Sequence, residues 1–201
     1  MTLMSKKQER FQELYSIFVF CKRVAELNPL FIIFFMENLV IREATKDDLP
    51  VLYSLFKTIV EEQASYPFTL PFSYPDFIQF WEVPSPSWKF CACIGDTITG
   101  GYMLKPNSVG LGDHVANGSF FVAPPFRRRG IGEQLGGHAL KKAKQLHFLA
   151  LQFNYVVSTN VPAVNLWLKL GFKIVGSIPK AFRHPQKGYV DVYIMFREIE
   201  P

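Results

Sequence analysis

Apolar and polar positions along the chain fall into short blocks of two periods. Leu39-Val40-Ile41-Arg42-Glu43-Ala44 predicts a short strand. Thr45 to Asp48, with acids ahead of Pro50, predicts a helix start. Leu52, Leu55, Phe56 and Val60 then recur as one helical stripe. Residues 63–87 are rich in proline and aromatics, with a short helix expected around Tyr74 to Trp81. This stretch suits either a substrate-facing wall or a packed loop. Trp88 to Ile94 and Ile98 to Lys105 predict two strands joined at Gly95-Asp96, a hairpin signal. Further strands are expected at His114 to Val122 and Leu149 to Ser158, then a helix to Leu170, then strands at Phe172 to Ile178 and Tyr189 to Phe196. The sum is a mixed α/β sheet with helices packed on it.

Residues 1–35 differ in character. Phe11, Leu14, Tyr15 and Phe18 recur at helical spacing, and Asn28-Pro29 breaks the pattern. Lys22, Arg23 and Glu26 interrupt the apolar run, so no membrane span of the usual ~20 residues is expected. No secretory cleavage pattern stands out. The reading is an N-terminal extension, either a helix that touches a membrane or a partner, or upstream sequence ahead of a true start at Met36, followed by one domain over residues 36–201. At 201 residues and 49% hydrophobic, with twenty Phe, the chain supports one real core and excludes a disordered polymer. Three cysteines give no disulfide framework. Cys91 and Cys93 lie two apart on one strand face without a nearby His, which argues for a reducing cytoplasm and against a metal.

The formal charge of +5 permits an anionic ligand without arguing for nucleic acid. The surplus gathers around Phe121 to Gly132. There a strand ends, Pro124-Pro125 turn the chain, and Arg127-Arg128-Arg129-Gly130-Ile131-Gly132 lead into a helix whose apolar face is Leu135, Ala139, Ala143 and Leu146. With Lys141, Lys142 and Lys144, six basic residues stand against Glu133 alone. The first turn of a helix has unpaired N–H groups and partial positive charge, and glycine lets a phosphate approach them. A Rossmann fingerprint would need a third glycine where Leu135 stands, and a Walker loop would need Gly-Lys-Ser/Thr, which is absent. A nucleic-acid arm would spread its basic residues along a face.

Arg127, Gly130 and Gly132, entering a helix after a strand ending Val122-Ala123-Pro124, resemble the acetyl-CoA-binding motif of the GNAT superfamily of N-acyltransferases. Asn160, Ala163 and Trp167 ahead of Gly171-Phe172, and the opening Ile41-Arg42-Glu43-Ala44 followed by Asp48-Leu49-Pro50, agree with it. The resemblance covers about Met36 to Glu200. Within the superfamily, His114 to Gly118, Phe153-Asn154, Ser158-Thr159-Asn160 and Leu166-Trp167 resemble fungal acetyltransferases of azetidine-2-carboxylate and other proline analogues. The resemblance implies a GNAT fold, with a mixed, mostly antiparallel sheet splayed between its fourth and fifth strands. It implies direct transfer of an acetyl group from acetyl-CoA to a small amine or amino-acid-like acceptor, without a metal. It further implies main-chain donors at Phe120 and Val122, a pyrophosphate held by the amides of Arg127, Arg128, Arg129, Gly130, Ile131 and Gly132, Asn117 and Asn154 holding the acceptor, and Asn160 beside the cofactor.

The departures from the family pattern matter. Trp167 stands where many members have the tyrosine that protonates the leaving thiolate, and an indole cannot be that acid. Ala163, Leu166, Trp167 and Leu170 share one helix face, so Trp167 reads as packing. Where members carry a glutamate base, this chain offers Asp113, His114 and Asn117. The main expectation is deprotonation through water with Asn117 and Asn154 orienting the amine; His114 as base is the alternative. Arg183 is a candidate for a substrate carboxylate, and His184 reads as structural. Two other functions stay open at this point: a catalytically weak acyl-CoA-binding module, and acetylation of protein amines. A homodimer is compatible with the sequence.

Overall fold

The computed structural model describes residues 39–83 and 86–200, so the expected extension over residues 1–35 lies outside the described residues. The elements run β1 (Leu39–Glu43), a 3-10 turn at Lys46–Asp48, α1 (Leu49–Glu61), α2 (Tyr74–Trp81), β2 (Trp88–Ile94), β3 (Thr97–Pro106), β4 (Val115–Val122), α3 (Ile131–Gln145), β5 (Ala150–Val157), α4 (Val161–Lys169), β6 (Lys173–His184) and β7 (Gly188–Glu198). They form one seven-stranded sheet in the order β1-β2-β3-β4-β5-β7-β6. Among the strand pairs with an established register, β4–β5 is parallel and the others are antiparallel. No helix among the described residues is long and apolar enough to cross a membrane.

Strand alternation divides the core between the two sheet faces. On one face α1 buries its stripe, Leu52, Leu55, Phe56, Ile59 and Val60, and α2 buries Phe77 and Trp81. Phe121 of β4 meets Phe56 and Trp81 there, ring centroids 5.4 and 5.9 Å away. On the other face Phe120 stacks on Tyr102 at 5.1 Å and meets Trp167 of α4 at 4.9 Å. Phe153 of β5 joins this cluster 4.5 Å from Trp167.

The last two strands are longer than the sequence predicts. The stretch between the predicted ends at Ile178 and Tyr189 continues the hairpin, with Phe182 opposite Val190 and His184 opposite Gly188. Arg183 therefore lies on a strand, exposed. His184 is buried, and its Nδ1 accepts from the Gln186 N–H at 3.1 Å, which fits a structural role. The fourth strand starts at Val115 and leaves His114 exposed ahead of it.

The entry to α1 is held by one carboxylate. Asp48 accepts from Arg42 Nη1 at 2.7 Å and Nη2 at 2.9 Å, and from the Thr45 N–H at 2.7 Å. The guanidinium holds the Asp48 carboxyl down at about 2, from an ordinary 3.8, against burial and with help from Thr45. A depressed folded-state pKa stabilises the fold above the ordinary carboxylate value, and the contribution is lost as pH falls through the folded one. Unfolding free energy measured by urea titration should therefore fall between about pH 4 and pH 2. Asp48→Asn should flatten that dependence and cost up to about 2 kcal/mol at neutral pH.

Candidate functional site

The site forms where β4 and β5 part. Their parallel register covers only Val115, Ala116 and Asn117 against Ala150, Leu151 and Gln152. The Asn107 N–H donates to the Val115 carbonyl at 2.8 Å and the Ala123 N–H to the Thr99 carbonyl at 2.9 Å. These bonds fix the phase of the β3–β4 ladder, so odd-numbered residues of β4 turn their main-chain groups to β3 and even-numbered ones away from it. Past Asn117, the N–H groups of Phe120 and Val122 thus face the gap, without a strand partner. The Phe120 carbonyl on that side accepts from Tyr66 Oη at 2.8 Å, and the Val122 carbonyl from Arg127 Nε at 3.3 Å.

A cavity of about 260 Å³ fills the gap. Tyr66, Phe68 and Phe80 form one wall, so the aromatic segment of residues 63–87 is both packed and cavity-lining. Phe120, Phe153 and Trp167 form the opposite wall. A bulge in β5, between Phe153 and Val156, lets Asn154 and Tyr155 both line the cavity. Among the described residues, no Asp, Glu, Lys, Arg or His lines it, and neither His114 nor Arg183 is part of its lining. The two lining tyrosines are committed as donors, Tyr66 to Phe120 and Tyr155 to the Ala181 carbonyl at 2.6 Å, and burial pushes both phenols up. Trp167 is buried among three aromatic rings, as expected of a packing residue.

The asparagines come together. Asn117 Nδ2 donates to Asn107 Oδ1 at 2.9 Å, Asn154 Nδ2 donates to the same oxygen at 2.7 Å, and Gln152 Nε2 donates to Asn154 Oδ1 at 2.7 Å. Asn107 was invisible to sequence reasoning; it follows Pro106 and reads as an ordinary turn residue. Asn160 also lines the cavity, but its side chain is occupied. Its Oδ1 caps α4 through the Ala163 N–H at 3.4 Å, and its Nδ2 reaches Ser65 Oγ at 3.1 Å.

The basic turn runs directly from the end of β4. Arg128 (φ 61°) and Gly130 (φ 74°) both adopt left-handed backbone, and α3 begins at Ile131. Residues alternating with left-handed ones turn successive N–H groups to one side, and the first turn of α3 adds its own unpaired donors. This cradle fits a diphosphate. The Arg127 side chain is not free to join it, since Nη1 and Nη2 pair with Glu62 at 2.9 and 2.8 Å, and its N–H donates to the Pro124 carbonyl at 3.4 Å. Arg128 stays exposed. A Cβ at Gly132 would stand 3.1 Å from Leu166 Cδ2, and one at Gly136 would collide with Leu170, so this face of α3 is kept bare for α4. Among the described residues no group of three His, Cys, Asp or Glu could hold a metal.

Comparison with known proteins agrees with this geometry. The model of the acetyltransferase (GNAT) family matches residues 52–172. N-acetyltransferase aca1 of Schizosaccharomyces pombe is 38% identical over 99 residues, 49% of this chain and 47% of that one, so the chain spans about half the length of this curated relative. The structure of a GCN5-related N-acetyltransferase from Kribbella flavida is 38% identical, with a TM-score of 0.77, covering 81% of this chain and 98% of that one. The structure of yncA from Salmonella typhimurium with its cofactor acetyl-CoA shares the fold, at 17% identity and a TM-score of 0.72, over 82% of this chain and 95% of that one.

The double engagement of Asn160 generates a test. Asn160→Ala should lower stability to urea by about 1 kcal/mol through loss of the cap, and Asn160→Asp should restore it, because aspartate caps equally well.

Proposed function

We infer, from the premise that this chain belongs to the acetyltransferase (GNAT) family, that it moves an acetyl group from acetyl-CoA to the nitrogen of a small amine or amino-acid-like acceptor by direct attack. The observation that carries the reading is the parting of β4 from β5, which leaves unpartnered main-chain donors in line with the phosphate-binding turn. Acetyl-CoA supplies the activated acyl group as co-substrate. The amides of residues 128–132 bind its diphosphate, and the exposed Arg128 adds charge. The Phe120 N–H donates to the carbonyl oxygen that gains charge as the amine attacks, and fixed donors of this kind are worth several kcal/mol to such a reaction, roughly 3 to 4 each. The Val122 N–H holds the adjoining arm of the co-substrate. Asn117 and Asn154 hold the acceptor, and Asn160 stands beside the cofactor.

The size and walls of the cavity support a small acceptor over a protein one. About 260 Å³ of aromatic-walled space admits a compact molecule. A compact amino acid with a ring nitrogen, such as a proline analogue, is the acceptor type the asparagine pattern suggests. Among the described residues tyrosine is the ionisable group in the lining, and both tyrosines are engaged as donors, which supports proton loss from the amine to water. A screen of small amines with acetyl-CoA, read by thiol release, tests the whole reading; a folded chain that turns over none of them would overturn it.

Two expected outcomes follow from the geometry. With no carboxylate or imidazole lining the cavity among the described residues, the pH profile of kcat/KM should rise with the free-base fraction of the acceptor and move with the acceptor's own pKa. His114→Ala should leave it unchanged; a limb that does not move with the acceptor and disappears in this variant would place the base at His114. Gly130→Val forces a β-branched residue into left-handed backbone. It should weaken coenzyme A binding in calorimetry by about tenfold or more, with the fold retained in circular dichroism.

A further inference from the structure

The amide cluster at the closed end of the β4–β5 gap, beside the last register pair, is asymmetric. Asn117 on β4 and Asn154 on β5 line the cavity, but Asn107, which follows β3, does not. Yet both cavity-lining amides donate to one oxygen, Asn107 Oδ1, at 2.9 and 2.7 Å. An amide oxygen has two lone pairs, so this acceptor is fully used. Asn107 is itself anchored, its N–H donating to the Val115 carbonyl at 2.8 Å.

A primary amide group has a donor end and an acceptor end, and a half-turn about its last torsion exchanges them. Tying the donor end of Asn117 and of Asn154 to Asn107 removes that freedom. The free end of Asn117 is then an oxygen. The Asn154 oxygen takes Gln152 Nε2 at 2.7 Å and retains one lone pair. Each NH2 keeps its second N–H, but the cluster holds the Asn117 and Asn154 oxygens in fixed directions, and such acceptors bind the N–H groups of an amine. With Asn107 unable to accept, either amide could turn its NH2 inward and oppose the same ligand.

Resting on the acetyl-transfer reading above, we propose that Asn107 is a positioning residue for the acceptor. Its oxygen sets the orientation of Asn117 and Asn154, so that their own oxygens receive the amine to be acetylated. It touches neither substrate and acts across the parted strands through both asparagines. The device uses amide groups rather than ionisable ones, and it selects an N–H donor through the fixed direction of the two oxygens.

The test compares Asn107→Ala, which removes the acceptor, with Asn107→Asp, which keeps oxygen acceptors at the same position. Asn107→Ala should raise KM for the acceptor amine by about tenfold, the loss of one well-placed hydrogen bond, with kcat and KM for acetyl-CoA within about twofold. Asn107→Asp should bring the acceptor KM back to within about threefold of the parent. In an Asn117→Ala/Asn154→Ala background, Asn107→Ala should have no further effect on acceptor KM, because it acts through those two residues. An unchanged acceptor KM in Asn107→Ala, an equal rise in KM for acetyl-CoA, or a full additional loss in the double-variant background would each overturn the proposal. NMR of the parent protein gives a readout independent of turnover and of whether variants fold. The side-chain NH2 signals of Asn117 and Asn154 should show slowed exchange with water; fast exchange at both would overturn the proposal. Slowed exchange in a protein that acetylates no amine would leave the orientation by Asn107 standing and sink the acetyl-transfer reading instead.

Discussion

A buried main-chain N–H or C=O must find a partner, and this fold opens a sheet at its centre. Beyond Asn117 the even-numbered residues of β4 face a strand that has turned away. The chain answers on the carbonyl side with its own groups. Tyr66 reaches across from the α1–α2 connection to the Phe120 carbonyl, and Arg127 folds back to the Val122 carbonyl. The N–H side is left to a ligand. The pattern of satisfied acceptors and unsatisfied donors makes the gap receptive to oxygen-bearing groups, whether a carbonyl in the gap or a diphosphate at the turn beyond it.

Opening the sheet also demands that something else keep β4 and β5 at a fixed separation, and helix packing does so. α3 follows β4 and α4 follows β5, and the two helices meet over Gly132 and Gly136, where side chains larger than hydrogen would displace Leu166 or Leu170. Trp167 packs on Phe120 of one strand and on Phe153 of the other, and these two rings also meet each other at 5.7 Å, so the three tie the strands together across the gap. Its ring is buried by these contacts and also forms part of the cavity wall.

Local signals carried most of the fold. The α1 stripe, the Gly95 hairpin and the strand–Pro–Arg–Gly–helix junction each sit within a few residues of one another, and each was legible. The β6–β7 hairpin was read too short because Pro179, Lys180 and Pro185 break its alternation and most of β6 is exposed, so no apolar period marks it. The missed parts of the site are all long-range. Glu62 claims the Arg127 guanidinium from 65 residues away, and Asn107 gathers Asn154 from 47 residues away. Gly136 is small because of Leu170, on a helix that follows after another strand. Spacing within a motif identifies what a turn binds; it is silent on which side chains are already spoken for.

The seam between β4 and β5 has a mechanical consequence. Four strands lie on one side of it and three on the other, joined through the sheet by three register pairs next to Asn117. A sheet stitched at one end of a seam behaves as a pair of leaves on a short spine, resisting shear along the strands but yielding to spreading at the free end. The compliance lies at the end that leads into the basic turn, and the Asn107 oxygen, bonded to an asparagine from each leaf, sits at the spine.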